Sequence, residues 1–337
     1  MARRGGWRRL GVKRFRYVDA RDQPITDEEK LARIERLVIP PAWTDVWISP
    51  NPGAKLQATG VDRAGRRQYL YHPDHRAAQE AEKYDRLVSF GARLPGLRDV
   101  MAEHLDLGPY ERDWACALAV SLVNRAWFRI GSERYARASR TYGVTTLAKR
   151  HASVRGRRVE FRFRSKQRLL VRRTVVDAEL ADAVRALLDL PGGPRLFRFE
   201  RDAGRANLTG AILNEYLATH MGNGYTAKDF RTWGGTLEAA IGFAEHGPPE
   251  SAADERRVVA AVMRRVASEL GNTPAVARAS YVSPAVLEQW REGRTLDHFR
   301  ERALRVVSAR GLEEEEAALL RLLRSWKARS RAASSSG

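Results

Sequence analysis

Arg158-Val159-Glu160-Phe161-Arg162-Phe163-Arg164 alternates apolar and charged residues over seven positions; Ser165-Lys166-Gln167 then turns, and Arg168-Leu169-Leu170-Val171-Arg172-Arg173 returns. A period of two is the signature of a strand with one buried face, so this stretch predicts a β-hairpin with Lys166 at its tip. Outward from it the sequence is helical. Glu111 to Phe128 is apolar nearly all round (Trp114, Ala115, Leu118, Ala119, Leu122, Val123), the mark of a buried core helix. Val176 to Leu190, Leu208 to His220, Thr232 to Phe243, Ala252 to Leu270 and Ser283 to Glu292 follow with helical periodicity. The acidic run Glu313 to Glu316 reads as a solvated helix start, and the Ser/Ala/Arg tail from Ala328 to Gly337 as disordered.

Toward the amino terminus the pattern changes. A helical stretch from about Thr26 to Leu37 is broken by Ile39-Pro40-Pro41-Ala42-Trp43. Tyr17-Val18-Asp19 opens a short β-prone stretch, as do Asp45 to Ser49, Leu56 to Val61 and Arg67 to His72. In the last of these, Gln68, Leu70 and His72 share one face while Tyr69 and Tyr71 share the other. From His75 to Val88 the composition turns to Ala, Glu, Lys and Arg, as in a helical connector. The fold class predicted is α+β: a strand-rich domain over residues 1–75, a helical hinge over 76–90, a larger and mainly helical domain with an inserted hairpin over 91–327, and a tail over 328–337.

With 337 residues and 43% hydrophobic residues, the chain can bury a sizeable core in two domains. Its formal net charge of +19 rests on 52 arginines and only eight lysines, and a field of that sign predicts a polyanionic partner, nucleic acid first. Codon bias can inflate arginine but does not explain the imbalance, because Asp and Glu could have risen to match. A lysine at a motif position is correspondingly harder to ascribe to chance. The single cysteine, Cys116, excludes a disulfide scaffold and a thiolate cluster. No apolar run reaches the roughly 18 residues of a transmembrane helix. The basic start (Arg3, Arg4, Arg8, Arg9) leads into no apolar segment of the kind a secretory signal carries.

There is no phosphate-cradling glycine loop, no HExxH or paired metal spacing among the seven histidines, and no compact acidic cluster for two metals. Phosphate chemistry on this chain would fall to protein cations. Six positions stand out, most with an ordinary reading beside them. Arg129, in Trp127-Phe128-Arg129-Ile130-Gly131, can be a helix-end arginine that snorkels to water. Lys166 can be a solubilising hairpin tip. Lys228 and Arg231, three apart in Lys228-Asp229-Phe230-Arg231, can be a surface pair on one helix face. Leu270-Gly271-Asn272-Thr273-Pro274 stops and restarts a helix, and Tyr281, nine residues after Asn272, can be a packing residue.

Their order is more telling than any one of them. Arginine, hairpin lysine, helix-start arginine, polar donor and then tyrosine resembles the catalytic array of type IB DNA topoisomerases and tyrosine recombinases. Lys228-Asp229-Phe230-Arg231 is similar to the KxxR of topoisomerases rather than the HxxR usual in recombinases, and the amino-terminal region is strand-rich where recombinases carry helices. Leu37-Val38-Ile39-Pro40-Pro41-Ala42-Trp43, Gly65-Arg66-Arg67-Gln68-Tyr69-Leu70-Tyr71 and Ser280-Tyr281-Val282 resemble the short bacterial, poxvirus-like form. The resemblance runs from about Arg16 to Phe299. One position departs from it: Asn272 stands where most of these enzymes have histidine, so it can donate a hydrogen bond but carry no charge.

The resemblance implies a recombinase/topoisomerase IB-like catalytic fold with catalytic residues Arg129, Lys166, Arg231, Asn272 and Tyr281. It implies DNA contacts from Gln68, Tyr69, Tyr71, Tyr135 and Lys228. The expected activity is relaxation of supercoils of either sign, without ATP, metal or cofactor, through a 3′-phosphotyrosyl intermediate. The expected partner is duplex DNA gripped by a two-domain clamp; the protein is expected to be a monomer, off the membrane, in the cytoplasm on the bacterial nucleoid. A tyrosine recombinase and a non-enzymatic basic DNA-binding protein remain the alternatives. No residue of the array is an obvious general base for Tyr281, whose ordinary pKa is about 10.

Overall fold

The computed structural model describes residues 5–12, 14–202, 204–300 and 312–335. Arg3 and Arg4 of the basic start and residues 336–337 of the expected tail lie outside them. The chain divides into two compact units between Tyr84 and Asp85. That point falls inside one uninterrupted helix, α2 (Pro73–Leu105).

In the first unit, strands β1 (Trp7–Leu10), β2 (Arg16–Val18), β3 (Thr44–Ile48), β4 (Leu56–Val61) and β5 (Arg67–Tyr71) form a five-stranded sheet in the order β2-β1-β3-β4-β5. Every pairing is antiparallel. Helix α1 (Glu28–Arg36) is started by Asp27, whose carboxylate accepts from the Lys30 N–H, and it places Ile34 in a core with Trp7, Val46, Ile48 and Ala58. Leu70 packs against that core while Tyr69, its neighbour in β5, stays half exposed, as the period of two requires. Arg9, one of the four arginines of the basic start, is buried. Its guanidinium donates to the carbonyls of Ile39, Pro40, Pro41 and Trp43, so it supports from beneath the stretch that breaks the first helical pattern.

The second unit is built on α3 (Arg112–Ala126), buried on nearly every side as its all-round apolar sequence demands. Following it come α4 (Glu133–Ser139), strands β6 (Ala152–Arg155), β7 (Arg158–Arg164) and β8 (Leu170–Val176), and α5 (Ala178–Asp189). The island is therefore a three-stranded antiparallel sheet, β6-β7-β8, rather than an isolated hairpin. Val159, Phe161 and Phe163 are its buried face, and the two phenylalanines meet Phe128 edge-on at 5.3 and 5.2 Å. A small ribbon of β9 (Arg198–Arg201) and β10 (Gly204–Asn207) was not legible in the sequence. Helices α6 (Gly210–Met221), α7 (Ala227–His246), α8 (Ala252–Leu270), α9 (Pro274–Tyr281), α10 (Pro284–Arg291) and α11 (Glu314–Ser335) complete the unit. Cys116 is buried in α3, and burial pushes its thiol up to about 12.

Two expectations near the carboxyl end need correction. The residues from Ala328 do not leave the fold: α11 continues to Ser335, because Ala and Arg are good helix formers and Arg329 pairs with Glu292 and Gln289 of α10 and its C-cap. Nor is the acidic run wholly solvated. Glu316 is buried, takes a two-pronged contact from Arg98 of α2 at 2.8 and 2.9 Å, and accepts from the Trp233 indole at 3.0 Å. Trp233 fits there because Gly91 of α2 has no Cβ, which would stand 2.3 Å from its ring.

Candidate active site

Three short departures from regular helix build the site. The first is the end of α3, where Trp127 takes the left-handed region with φ 49°. That conformation costs a residue other than glycine about 1–2 kcal/mol, and it aims the Trp127 carbonyl at Arg231, whose Nη1 donates to it. The second is the end of α8, closed by Gly271 at φ 60°. A helix leaves its last carbonyls unpaired and carries partial negative charge at that end. Here Leu270 O accepts from Arg231 Nη2 at 2.7 Å and from Arg129 Nη1 at 3.4 Å, and Gly271 O accepts from Arg129 Nη2 at 3.1 Å. Both guanidiniums are thus oriented by one helix terminus. Arg129 does not snorkel free, and Arg231, only 4% exposed, is no surface residue.

The third departure is the break between α9 and α10. Thr273 caps α9, Pro274 opens it, and Tyr281 is its last residue. Thr236 of α7 pins this end: its hydroxyl donates to the Tyr281 carbonyl at 3.2 Å and accepts from the Ser283 N–H at 3.1 Å. Gly234 and Gly235 of α7 make room. A Cβ at Gly234 would meet the Trp127 indole at 2.3 Å, and one at Gly235 would meet the Tyr281 carbonyl at 2.9 Å.

Arg231 lies 5.2 Å from the centre of the Tyr281 ring, and its Nε is buried with no hydrogen-bond partner among the described residues. Burial by itself pushes that phenol up; Arg231, then Arg129 and Lys228, more than reverse this and leave it below the ordinary phenol value. Burial, then the neighbouring Arg129, brings Arg231 down to about 10, still charged at neutral pH. Arg129 is likewise lowered by burial, partly offset by Tyr281.

Asn272 follows the α8 terminus. Its Oδ1 accepts from Arg129 Nη2 at 2.5 Å, and since a guanidinium can only donate, the amide orientation is chemically determined. The Nδ2 group is then buried with no hydrogen-bond partner among the described residues. An orphan donor beside two guanidiniums and a phenol suits an oxyanion that is absent from the free enzyme.

Lys166 is not brought into this cluster. It is exposed in the turn after β7, where Gln167 and Arg168 both take left-handed φ of about 60°, and no hydrogen bond or ion pair holds its ammonium among the described residues. Its neighbour Ser165 is buried at the cluster, 3.4 Å from Arg129 Nη1. Lys228 is exposed on the first turn of α7, behind the capping box of Thr226 and Asp229. Tyr135 is half exposed on α4. In the first unit, Tyr69 and Tyr71 stack at 6.3 Å, and Gln68 donates to Asp62 at 2.8 Å. Trp127, Ser165, Thr236 and the Gly234-Gly235 pair escaped the sequence reading; only the paired glycines inside an apolar helix offered a signal. Among the described residues no group of three His, Cys, Asp or Glu is placed to hold a metal, and no helix is long and apolar enough to cross a membrane.

Comparison with known proteins gives this arrangement its family. Residues 72–300 match the family described as eukaryotic DNA topoisomerase I, catalytic core, and residues 14–62 match bacterial DNA topoisomerase IB, N-terminal domain. The chain belongs to the type IB DNA topoisomerases, and it is an enzyme that acts on DNA. Within that family it has the short viral and bacterial form. DNA topoisomerase 1B of Acanthamoeba polyphaga mimivirus is 30% identical over 282 residues, 81% of this chain and 83% of the relative. DNA topoisomerase 1B of vaccinia virus, strain Western Reserve, is 20% identical over 282 residues, 81% and 86% of the two chains. The recombinase and the non-enzymatic binding protein are thereby set aside.

Proposed function

We propose that Tyr281 is the nucleophile of a metal- and ATP-independent strand transfer. Its Oη attacks the scissile phosphorus in line and the P–O5′ bond breaks, leaving a 3′-phosphotyrosyl enzyme. Arg129 and Arg231 meet the charge that grows on the non-bridging oxygens, and the Asn272 Nδ2 donates to one of them. Lys166 gives its proton to the departing 5′ oxygen once its turn enters the DNA groove. The lowered phenol pKa reduces the need for a dedicated base, and water takes the Tyr281 proton. Because the phosphotyrosine keeps the energy of the diester, the 5′ hydroxyl can reverse the step without ATP. Rotation about the intact strand in the interval relaxes supercoils of either sign.

Gln68, Tyr69, Tyr71, Tyr135 and Lys228 act as DNA contacts of a two-domain clamp hinged over residues 76–90, in a monomer working in the bacterial cytoplasm on the nucleoid. The observation that carries the reading is a phenol with two guanidiniums anchored on one helix terminus beside it, one of them bonded to an amide whose own donor is an orphan. The test is incubation with supercoiled plasmid in EDTA without ATP, followed by denaturing electrophoresis. Relaxation with a protein-linked 3′ end is expected for the native chain and neither for Tyr281→Phe, which deletes one oxygen and no charge. Relaxation by that variant above about a thousandth of the native rate places the nucleophile elsewhere.

A further inference from the structure

Three consecutive carbonyls at the end of α8 each receive an arginine. Leu270 O and Gly271 O hold the two guanidiniums of the site, and Glu269 O holds a third, Arg173 of β8. The same Arg173 Nη2 lies 2.9 Å from the Glu269 carboxylate. Among the described residues this is the only ion pair that runs from β7 or β8 to a helix. Arg173 and Glu269 also line a cavity of about 90 Å³ whose other walls include Arg129, Arg231 and Ser165. Among the described residues the turn above has local bonds, Ser165 N to Leu169 O at 2.8 Å and Arg164 to Arg168 O at 3.2 Å, and two distant ones, from the Tyr142 N–H to Arg164 O at 2.7 Å and the long Ser165–Arg129 contact, neither of them involving β8.

We propose that Arg173 is a positioning residue for proton delivery: its double contact with Glu269 fastens the hairpin that carries Lys166 to the helix end that carries Asn272. The inference rests on Lys166 acting as the general acid. Without the fastening, β8 loses its ion pair to α8 while the buried face of β7 stays packed, and a misplacement of about 1 Å can cost a positioned group about 100-fold in rate. The arginines of the site keep their own carbonyls, so the loss falls on the leaving oxygen rather than on the non-bridging ones.

The test compares single-turnover cleavage of two duplexes that carry a site at which the native enzyme forms its adduct, one ordinary and one with sulfur in place of the bridging 5′ oxygen. Sulfur leaves without a proton. Arg173→Ala is expected to cleave the ordinary duplex about 10- to 100-fold slowly and to recover to within about threefold of native on the sulfur duplex. Glu269→Gln, which keeps the backbone carbonyl and the fold around it, is expected to show a smaller defect with the same recovery. Lys166→Ala is the control, and adding Arg173→Ala to it is expected to slow cleavage no further. If Lys166→Ala recovers on sulfur but Arg173→Ala and Glu269→Gln do not, the positioning role is overturned while the general acid stands. If Lys166→Ala itself fails to recover, both fall. Native rates for both latch variants on the ordinary duplex also overturn the proposal.

Discussion

Replacing Asn272 by alanine separates what its amide does for the fold from what it does for the reaction. In the free enzyme Nδ2 is buried and unpaired, which costs about 1–3 kcal/mol, while Oδ1 takes a charged hydrogen bond from Arg129 worth about 1.5–3 kcal/mol. Alanine removes both, so the two nearly cancel, and the unfolding free energy is expected to stay within about 1.5 kcal/mol of native. In the transition state proposed above Nδ2 gains a partner, and loss of one such donor is expected to cost about 2.7–4 kcal/mol, about 100- to 1,000-fold in cleavage rate. Asn272→Asp sharpens the contrast. It keeps an acceptor for Arg129 but exchanges the donor for negative charge beside a developing oxyanion, so it is expected to cleave more slowly than alanine while unfolding no more easily. The assays are urea unfolding of the full chain and single-turnover cleavage of a duplex. An alanine variant within about threefold of the native rate, or an aspartate variant faster than alanine, refutes the donor role.

Cleavage is expected to rise with pH and reach its plateau below the ordinary phenol pKa of about 10, because the folded enzyme deprotonates Tyr281 more readily. In Arg231→Gln, burial is left with less to oppose it, and the midpoint of the pH–rate profile is expected to move upward; a midpoint that stays or falls contradicts the assigned cause. Gly235→Ala places a Cβ 2.9 Å from the Tyr281 carbonyl, and the displaced tyrosine is expected to lose about 100-fold in cleavage with DNA affinity kept, a split that filter binding and adduct formation can read. Glu316→Ala takes the shared carboxylate from the half-buried Arg98 and the Trp233 indole, and a loss of about 1.5–3 kcal/mol is expected in urea unfolding; a loss under about 1 kcal/mol denies that contact its structural weight. DNA affinity is expected to fall linearly with salt on logarithmic axes, each neutralised phosphate adding about 0.9 to the slope, and a flat line between about 50 and 200 mM contradicts backbone-dominated binding.

What could be read from the chain alone was whatever repeats locally. The alternation Val159, Phe161, Phe163 specified a strand with one buried face, and the all-round apolar run near Trp114 specified a buried helix, because a period of two or an unbroken apolar surface has one way to escape water. The linear order of Arg129, Lys166, Arg231, Asn272 and Tyr281 carried the family, since a shared chemistry leaves its residues in shared order. Burial of single charges was not legible. Glu316 in a run of acids and Arg231 beside Lys228 look solvated in sequence, and only distant partners, Arg98 and Trp233 for one and the carbonyls of Trp127 and Leu270 for the other, take them inside. Nor could the sequence say which way Asn272 faces. That was decided by Arg129, 143 positions away, whose donors require the amide oxygen and so leave the Nδ2 group without a partner among the described residues.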